Sequence, residues 1–402
     1  MICWSETAGR IVTGWEGKMD GTEKIGIGVV GYGMIGRLHT MNYRQLRFLY
    51  PGALPALVLR AVCTSREETA RAAQEEAGFC TAVTETEPLV ADTELDVVDV
   101  SLPNNLHRPV VEAALAAGKH VYCEKPLAGT IEDARAIKNA LDRAPSVRFG
   151  MVFQNRFFPA VMKAKEIIDE GRVGRIYTYR AEYLHTGYQS PERPLSWRLR
   201  KEEGGSGALA DLGSHAIDLV RYLLGEFETV QGHLETFVTE RPIAHGASAK
   251  GAVTVDDVAW FRATMAGGAV GTVEASRFAT GTVDNLRFWV YGEKGALHFD
   301  LMDPNYLEWF DESLAGGSYG GERGWRRIQT VQYYPDAKVP PARSPIGWNR
   351  AHTENQYQFL KAIAEERDPS PGIVDGLRAQ LVIDAVERSA VQNGRVVAVM
   401  PE

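Results

Sequence analysis

"KIGIGVVGYGMIGRLH" occupies residues 24–39, and its reading decides the fold. Lys24 to Val30 is a short apolar run with β-branched residues, the composition of a strand buried on both faces. Gly31, Gly33 and Gly36 follow in G-x-G-x-x-G spacing, with Tyr32, Met34 and Ile35 between them. The first glycine permits a tight turn, the second lets the backbone approach a pyrophosphate, and the third lets helix and strand pack closely. A helix opening from that turn offers unpaired N–H groups and partial positive charge to phosphates. Alone the triplet is weak evidence. Between a strand and a helix it predicts a bound dinucleotide.

Working outward, strand and helix patterns alternate from residue 24 to 148. "ALVLRAVC" (56–63), "LDVVDVSLP" (95–103) and "HVYCEKP" (120–126) read as strands. "REETARAAQEEAG" (66–78), "HRPVVEAALAAG" (107–118) and "TIEDARAIKNALDRA" (130–144) read as helices. Such alternation implies a parallel sheet wrapped on both faces. The expectation is an α/β Rossmann domain, doubly wound, over 24–148. Beyond it the pattern changes to strands joined by glycine-containing turns, among them "DDVAWFRATMA" (256–266), "AVGTVEASRF" (269–278) and "NLRFWVYG" (285–292). Two helices close the chain. This predicts an α+β domain over 149–402 with a large, mostly antiparallel open sheet. Residues 1–23 read as an N-terminal arm, with Met19 as an alternative start.

Composition narrows the function classes. The chain has 402 residues, a net charge of −8, and 45% apolar and 24% charged residues, as in a soluble globular protein. No basic tract follows a phosphate backbone, so nucleic acid is excluded as a partner. No run reaches the roughly 18 apolar residues of a membrane span, and no secretory signal opens the chain. Cys3, Cys63, Cys80 and Cys123 lack C-x-x-C spacing, so neither a metal site nor a disulfide frame is expected. That usage fits a reducing cytoplasm.

Strand C-termini in such sheets face the ligand crevice, which selects further residues. After the second strand the usual ribose-binding acid is missing. Ser65 and Arg66 stand there instead and suit a 2′-phosphate, favouring NADP slightly over NAD. "SLPNNLH" brings Leu102, Pro103, Asn104 and His107 to the same edge, with His107 either beside the cofactor or an ordinary first-turn residue. "EKP" brings Glu124, Lys125 and Pro126. Lys125 can donate a hydrogen bond to a substrate oxygen and favour developing alkoxide. Glu124 either holds that lysine or meets the nicotinamide ribose, and a plain surface pair is the alternative. In "GGSGALADLGSHAID" (204–218), Asp211 and His215 are four apart and share a helical face. His215 suits proton transfer near neutral pH, with Asp211 orienting it and stabilising its charged form; a helical acid beside a packed core histidine is the alternative.

Together "GYGMIG" (31–36), "LPNNLH" (102–107), "EKP" (124–126), "QNRFFP" (154–159), "SWR" (196–198) and the Asp211–His215 stretch resemble the glucose–fructose oxidoreductase, inositol dehydrogenase and rhizopine-catabolism family. The resemblance covers about residues 24 to 400. It implies NAD(P)-dependent alcohol–ketone interconversion on a sugar, sugar derivative or cyclitol, with Lys125, Asp211 and His215 catalytic. It also implies that Trp197 and Arg198 border the cofactor and that copies pair through the large sheet as a homodimer or homotetramer. Gln154, Arg156, His185 and Tyr188 are expected near the substrate. The missing acid puts NAD preference in doubt, and some members use an N-terminal arm between subunits. Other readings are a nicotinamide-retaining redox glycosidase or lyase, a non-catalytic dinucleotide-binding regulator, and an imine or biliverdin-type reductase.

Overall fold

The computed structural model describes residues 24–331 and 333–399; the arm expected at 1–23 lies outside them. The first strands and helices are β1 (Lys24–Val30), α1 (Met34–Leu49), β2 (Ala56–Cys63), α2 (Glu67–Ala77), β3 (Thr81–Val83), α3 (Thr86–Val90), β4 (Val97–Val100), α4 (His107–Ala116), β5 (His120–Cys123), α5 (Ile131–Asp142) and β6 (Phe149–Met151). The six strands pair in the order β3-β2-β1-β4-β5-β6, all parallel. This is the Rossmann order, and its connections diverge where β1 lies beside β4. A crevice therefore opens above Val30 and Val100, which are paired through that register. The sheet runs three residues past the expected boundary at 148, because Phe149–Met151 pairs with β5.

The second half contains α6 (Pro159–Asp169), β7 (Ile176–Leu184), α7 (Lys201–Gly204), α8 (Ser214–Leu224), β8 (Phe227–Glu235), β9 (Glu240–Pro242), β10 (Lys250–Ala252), β11 (Val258–Met265), β12 (Val270–Ser276), β13 (Asn285–Gly292), β14 (Gly295–Asp300), β15 (Tyr306–Asp311), β16 (Trp325–Gln329), α9 (Trp348–Ala364), α10 (Ile373–Val391) and β17 (Val397–Ala398). Nine of these strands form one sheet, ordered β16-β15-β14-β13-β7-β12-β11-β8-β17. Only the β7–β12 contact is parallel. Helices α6, α8 and α10 cover one face. The other presents Trp260 and Tyr291 to solvent.

The halves share their core. Helix α9 packs on the parallel sheet beside α1, where Tyr50 and Tyr357 stack with ring centroids 3.7 Å apart. Leu46, Phe359 and Leu360 join that cluster. The late helix thus completes a layer of the first domain and reaches the crevice. No helix among the described residues is long and apolar enough to cross a membrane.

Candidate active site

At the glycine turn, φ of Gly31 is +92° and a Cβ there would lie 2.2 Å from the carbonyl oxygen of Ser101, so only glycine fits. Above Gly33, by contrast, a Cβ would meet no atom within 4 Å. Gly33 caps α1 without a side-chain hydrogen bond, leaving the first N–H groups of Met34 and Ile35's turn for an incoming anion. Open space over uncapped helix N–H groups fits a pyrophosphate. Tyr32 packs edge-on against Phe79, with the Arg37 guanidinium 5.3 Å from its ring centre. Ser65 and Arg66 are exposed at the end of β2, and Arg66 forms no ion pair with a described residue.

The "SLPNNLH" turn does other work than expected. Asn104 is buried and its Nδ2 donates to the carbonyl of Gly204 at 2.8 Å, tying the two halves together. His107 is fully buried. Its Nδ1 lies 3.1 Å from the carbonyl oxygen of Pro126, and its Nε2 lies 3.0 Å from that of Leu102. Burial lowers its pKa, and the neutral ring clamps the turn after β4 to the turn after β5. His107 thus spends both ring nitrogens on protein and sets the position of Leu102 and Pro126, while Asn104 spends its Nδ2 on the link to Gly204.

Glu124 ends β5 in a buried setting. Its Oε2 accepts from the backbone N of Lys125 at 3.2 Å, and its Oε1 lies 3.4 Å from His39 Nε2. His39 Nδ1 in turn lies 3.0 Å from Asp99, which also accepts from Tyr43 and Ser101. Burial alone would lower the His39 pKa, but Asp99 and Glu124 outweigh it and raise it to about 10. Burial would likewise raise that of Glu124, yet His39 and Lys125 bring it below the ordinary value. An imidazolium between two carboxylates thus fixes Glu124 as an anion.

Lys125 reaches across to the second half. Its Nζ donates to the Asp211 carbonyl at 2.6 Å and to Asp211 Oδ1 at 3.1 Å. Asp211 lies in a single π-helical turn, Leu209–Gly213, directly before α8. Such turns frequently mark functional sites. Gly205, with φ of +76°, lets this segment approach: a Cβ there would lie 2.1 Å from the carbonyl oxygen of Gly129 in the first half. Asp256 then fixes the segment, accepting from the backbone N of Gly207 at 2.6 Å and of Leu209 at 2.8 Å.

Asp211 Oδ2 accepts from Arg277 at 2.9 Å. Burial would raise the Asp211 pKa, but Lys125, Arg277 and Arg198 hold it far below the usual carboxylate range. Both carboxylate oxygens are thereby engaged, and no hydrogen bond joins Asp211 to His215. The expected direct pair is replaced by an influence through charge. His215 is buried with Nδ1 unpartnered among the described residues. Burial drives its pKa well below the ordinary value, and the Lys125 charge lowers it further than Asp211 raises it. The imidazole is therefore neutral.

Among the expected substrate residues, Arg156 is committed elsewhere. Its Nε donates to Asp218 at 2.8 Å and its Nη2 to Asp375 at 2.7 Å, inside the protein. Burial makes it an internal strut between α8 and α10. Gln154 is buried with Oε1 unpartnered. His185 Nε2 lies 2.9 Å from Asp284 Oδ1. Tyr188 is flanked by Arg193 and Arg277, 4.1 and 4.6 Å from its ring centre. Arg198 lies over the Trp197 ring at 4.3 Å and adds its charge to the Asp211 surroundings.

Sequence reasoning missed Asn155, Tyr183, Arg277, Asp284 and His352. Asn155 and His352 are buried, and the polar side-chain atoms of both lack partners among the described residues. Burial lowers the His352 pKa to about 3, with the His39 charge adding to it. Orphaned buried polar atoms cost folding free energy unless a ligand meets them. Those on Glu124, Gln154, Asn155, His215 and His352 suit the nicotinamide end of a dinucleotide and a polar substrate.

A dinucleotide cradle joined to a lysine, a carboxylate and a neutral imidazole defines an NAD(P)-dependent oxidoreductase acting on CH–OH groups. Comparison with known proteins agrees. Residues 25–151 match the family model described as oxidoreductase family, NAD-binding Rossmann fold, and residues 161–298 match the GFO/IDH/MocA C-terminal domain. The chain belongs to the Gfo/Idh/MocA oxidoreductase family. Levoglucosan dehydrogenase of Pseudarthrobacter phenanthrenivorans is 35% identical over 389 residues, covering 93% of this chain and 98% of that protein. Myo-inositol 2-dehydrogenase of Thermotoga maritima is 27% identical over 365 residues, 90% of this chain and 95% of that one. A solved levoglucosan dehydrogenase in complex with NADH and levoglucosan superposes with a TM-score of 0.88 at 34% identity, covering 94% of this chain and all of that one.

Proposed function

We propose that the protein interconverts a secondary alcohol and a ketone on a sugar, sugar derivative or cyclitol, with His215 as the proton acceptor. The observation that carries this reading is the convergence of Lys125, Asp211 and His215 from separate parts of the chain. The nicotinamide ring, when bound, supplies the hydride acceptor. The neutral His215 takes the proton from the hydroxyl oxygen as hydride leaves the carbon bearing that hydroxyl, and returns it in the reverse direction. Lys125 spends two of its N–H donors on Asp211. The ammonium has a third, which holds the substrate oxygen and favours its negative charge. Asp211, itself anchored by Arg277, holds that ammonium in place. Glu124, fixed by His39, takes the nicotinamide ribose.

Ser65 and the unpaired Arg66 support acceptance of a 2′-phosphate, so NADP is favoured slightly over NAD; the levoglucosan dehydrogenase structure contains NADH. Arg66→Asp should shift the NADP/NAD ratio of kcat/KM toward NAD, and an unchanged ratio removes Arg66 from cofactor choice. The aromatic outer face of the large sheet supports pairing of copies there. The test of the activity is a panel of levoglucosan, L-sorbose, myo-inositol and related polyols with both cofactors, read at the reduced-nicotinamide absorbance band. Reduced cofactor equal in amount to ketone is expected. Dinucleotide binding without turnover would make the chain a regulator, and aglycone release without net reduced nicotinamide would make it a redox glycosidase.

A further inference from the structure

One wall of the cleft is built by two loops laced together. The loop after β7 begins at His185, whose N donates to the Ser276 carbonyl at 2.8 Å, while its carbonyl accepts from the Ala279 N at 2.9 Å. Thr186 Oγ1 and Gln189 Nε2 donate to the carbonyls of Thr282 and Phe278, each at 3.2 Å. The facing loop, residues 277–284, starts at Arg277, which holds Asp211, and ends at Asp284. Asp284 directly precedes β13, whose Asn285 pairs with Leu184 at the end of β7. The register therefore sets Asp284 opposite His185.

Asp284 Oδ1 accepts from the Tyr183 hydroxyl at 2.7 Å and lies 2.9 Å from His185 Nε2. The Tyr183 ring meets both histidines edge-on, with centroids 5.2 Å from His185 and 5.7 Å from His215. One tyrosine thus connects the reacting imidazole to the Asp284–His185 pair. Asp284 Oδ2 and His185 Nδ1 make no hydrogen bond with a described residue, and both side chains are partly exposed. The carboxylate is held ionised: burial would raise its pKa, but the bonds from His185 and Tyr183 lower it. In the tautomer that gives Nε2–H to Asp284, the His185 ring presents Nδ1 as an acceptor. Two acceptors therefore stand side by side.

The geometry points to Asp284 and His185 as the residues that read substrate hydroxyls away from the carbon being oxidised, with Tyr183 positioning Asp284. Paired acceptors match paired O–H donors, so the preferred substrate carries free hydroxyls at that end, and deoxy or O-methyl analogues are rejected. A polar site left unpaired by such an analogue discriminates far more strongly than an apolar pocket. This assignment rests on the polyol reading above and names the part of the cleft that makes the choice.

The test uses the best substrate from the polyol panel and its deoxy analogues. Asp284→Ala should raise KM about 10- to 100-fold, the worth of a hydrogen bond to a charged group, and leave kcat and cofactor affinity near wild type. The deoxy analogue missing the hydroxyl that is read should cost wild type a similar factor and cost D284A almost nothing more. A merely loosened wall would leave the wild-type penalty for the deoxy analogue in place. Should D284A fail to fold, Asp284→Asn keeps an oxygen for Tyr183 but replaces the charged acceptor by a neutral amide, and its deoxy penalty should fall below that of wild type. Wild-type KM, or an undiminished deoxy penalty, in the folded variant overturns the assignment while leaving the activity intact. No turnover by wild type on any polyol overturns both.

Discussion

Replacing Lys125 by methionine separates the two jobs of this side chain, because methionine keeps the apolar stem and removes the ammonium. In the catalytic job, the lysine donates toward the substrate oxygen where negative charge develops. Removing one such donor typically costs about 10²–10³ in kcat, or about 2.7–4 kcal/mol. In the structural job, Lys125 shares Asp211 with Arg277, whose own bond to Asp211 Oδ2 at 2.9 Å the substitution leaves untouched. The Asp211 side chain is 28% exposed, so water can replace the lost donor. Two charged hydrogen bonds are lost, about 1.5–3 kcal/mol each before water replaces them, so the loss of stability should stay below about 3–6 kcal/mol. The Lys125 charge also lowers the His215 pKa. Its removal should raise that pKa, so the acid limb of the residual oxidation profile should move to higher pH. Initial rates over a pH series, with cofactor affinity by fluorescence titration, measure all three effects. A kcat within about fivefold of wild type, well short of the loss of a single oxyanion donor, would refute the role of Lys125. So would an acid limb that moves to lower pH.

Arg156→Met should act on stability, losing about 3–5 kcal/mol by leaving Asp218 and Asp375 without their shared cation, while the folded enzyme keeps its KM; a raised KM at wild-type stability in chemical denaturation would return Arg156 to the substrate site. His39→Gln should be destabilising in a pH-dependent way. The folded pKa near 10 exceeds the ordinary 6.5, so the stabilisation is fully present below pH 6.5 and lost as pH rises through about 10. Asp99, Glu124, Ser101, Tyr122 and His352 face this imidazole. The gap between wild type and variant should shrink from pH 6 to pH 10, and a constant gap would show that His39 is not charged in the fold.

Local signals reach some of these residues and miss others for identifiable physical reasons. The parallel sheet was legible because glycine spacing, strand composition and helix stops act over neighbouring residues, whereas its order β3-β2-β1-β4-β5-β6 sets β1 beside the distant β4 and rests on long-range pairing. The Lys125–Asp211 contact crosses 86 positions, yet each partner lay in a stretch that identified itself: "EKP" at a strand end, and a glycine-rich approach to a helix. Arg156 misled because a guanidinium beside apolar residues reads the same whether it faces a cleft or an internal carboxylate. Asp218 and Asp375, which decide the matter, lie 62 and 219 residues away. Neighbouring Asn155 carried no charge to draw notice, yet it is the one left with unpaired atoms. His352 was hidden for another reason. Its helix looked like a closing element of the second domain, and only packing of α9 beside α1 brings it to Glu124 and His39. Asp284 sits in a turn, where an acidic residue is ordinary, and it becomes informative only through the cross-strand register with His185. Long-range pairing, then, separates a charge that binds a ligand from a charge that binds the protein. In this cleft the distinguishing sign is a polar atom without a partner among the described residues: the third N–H of Lys125, Oδ2 of Asp284, Nδ1 of His215 and the ring nitrogens of His352. Each lies where the chain supplied a charge or a dipole and withheld its complement.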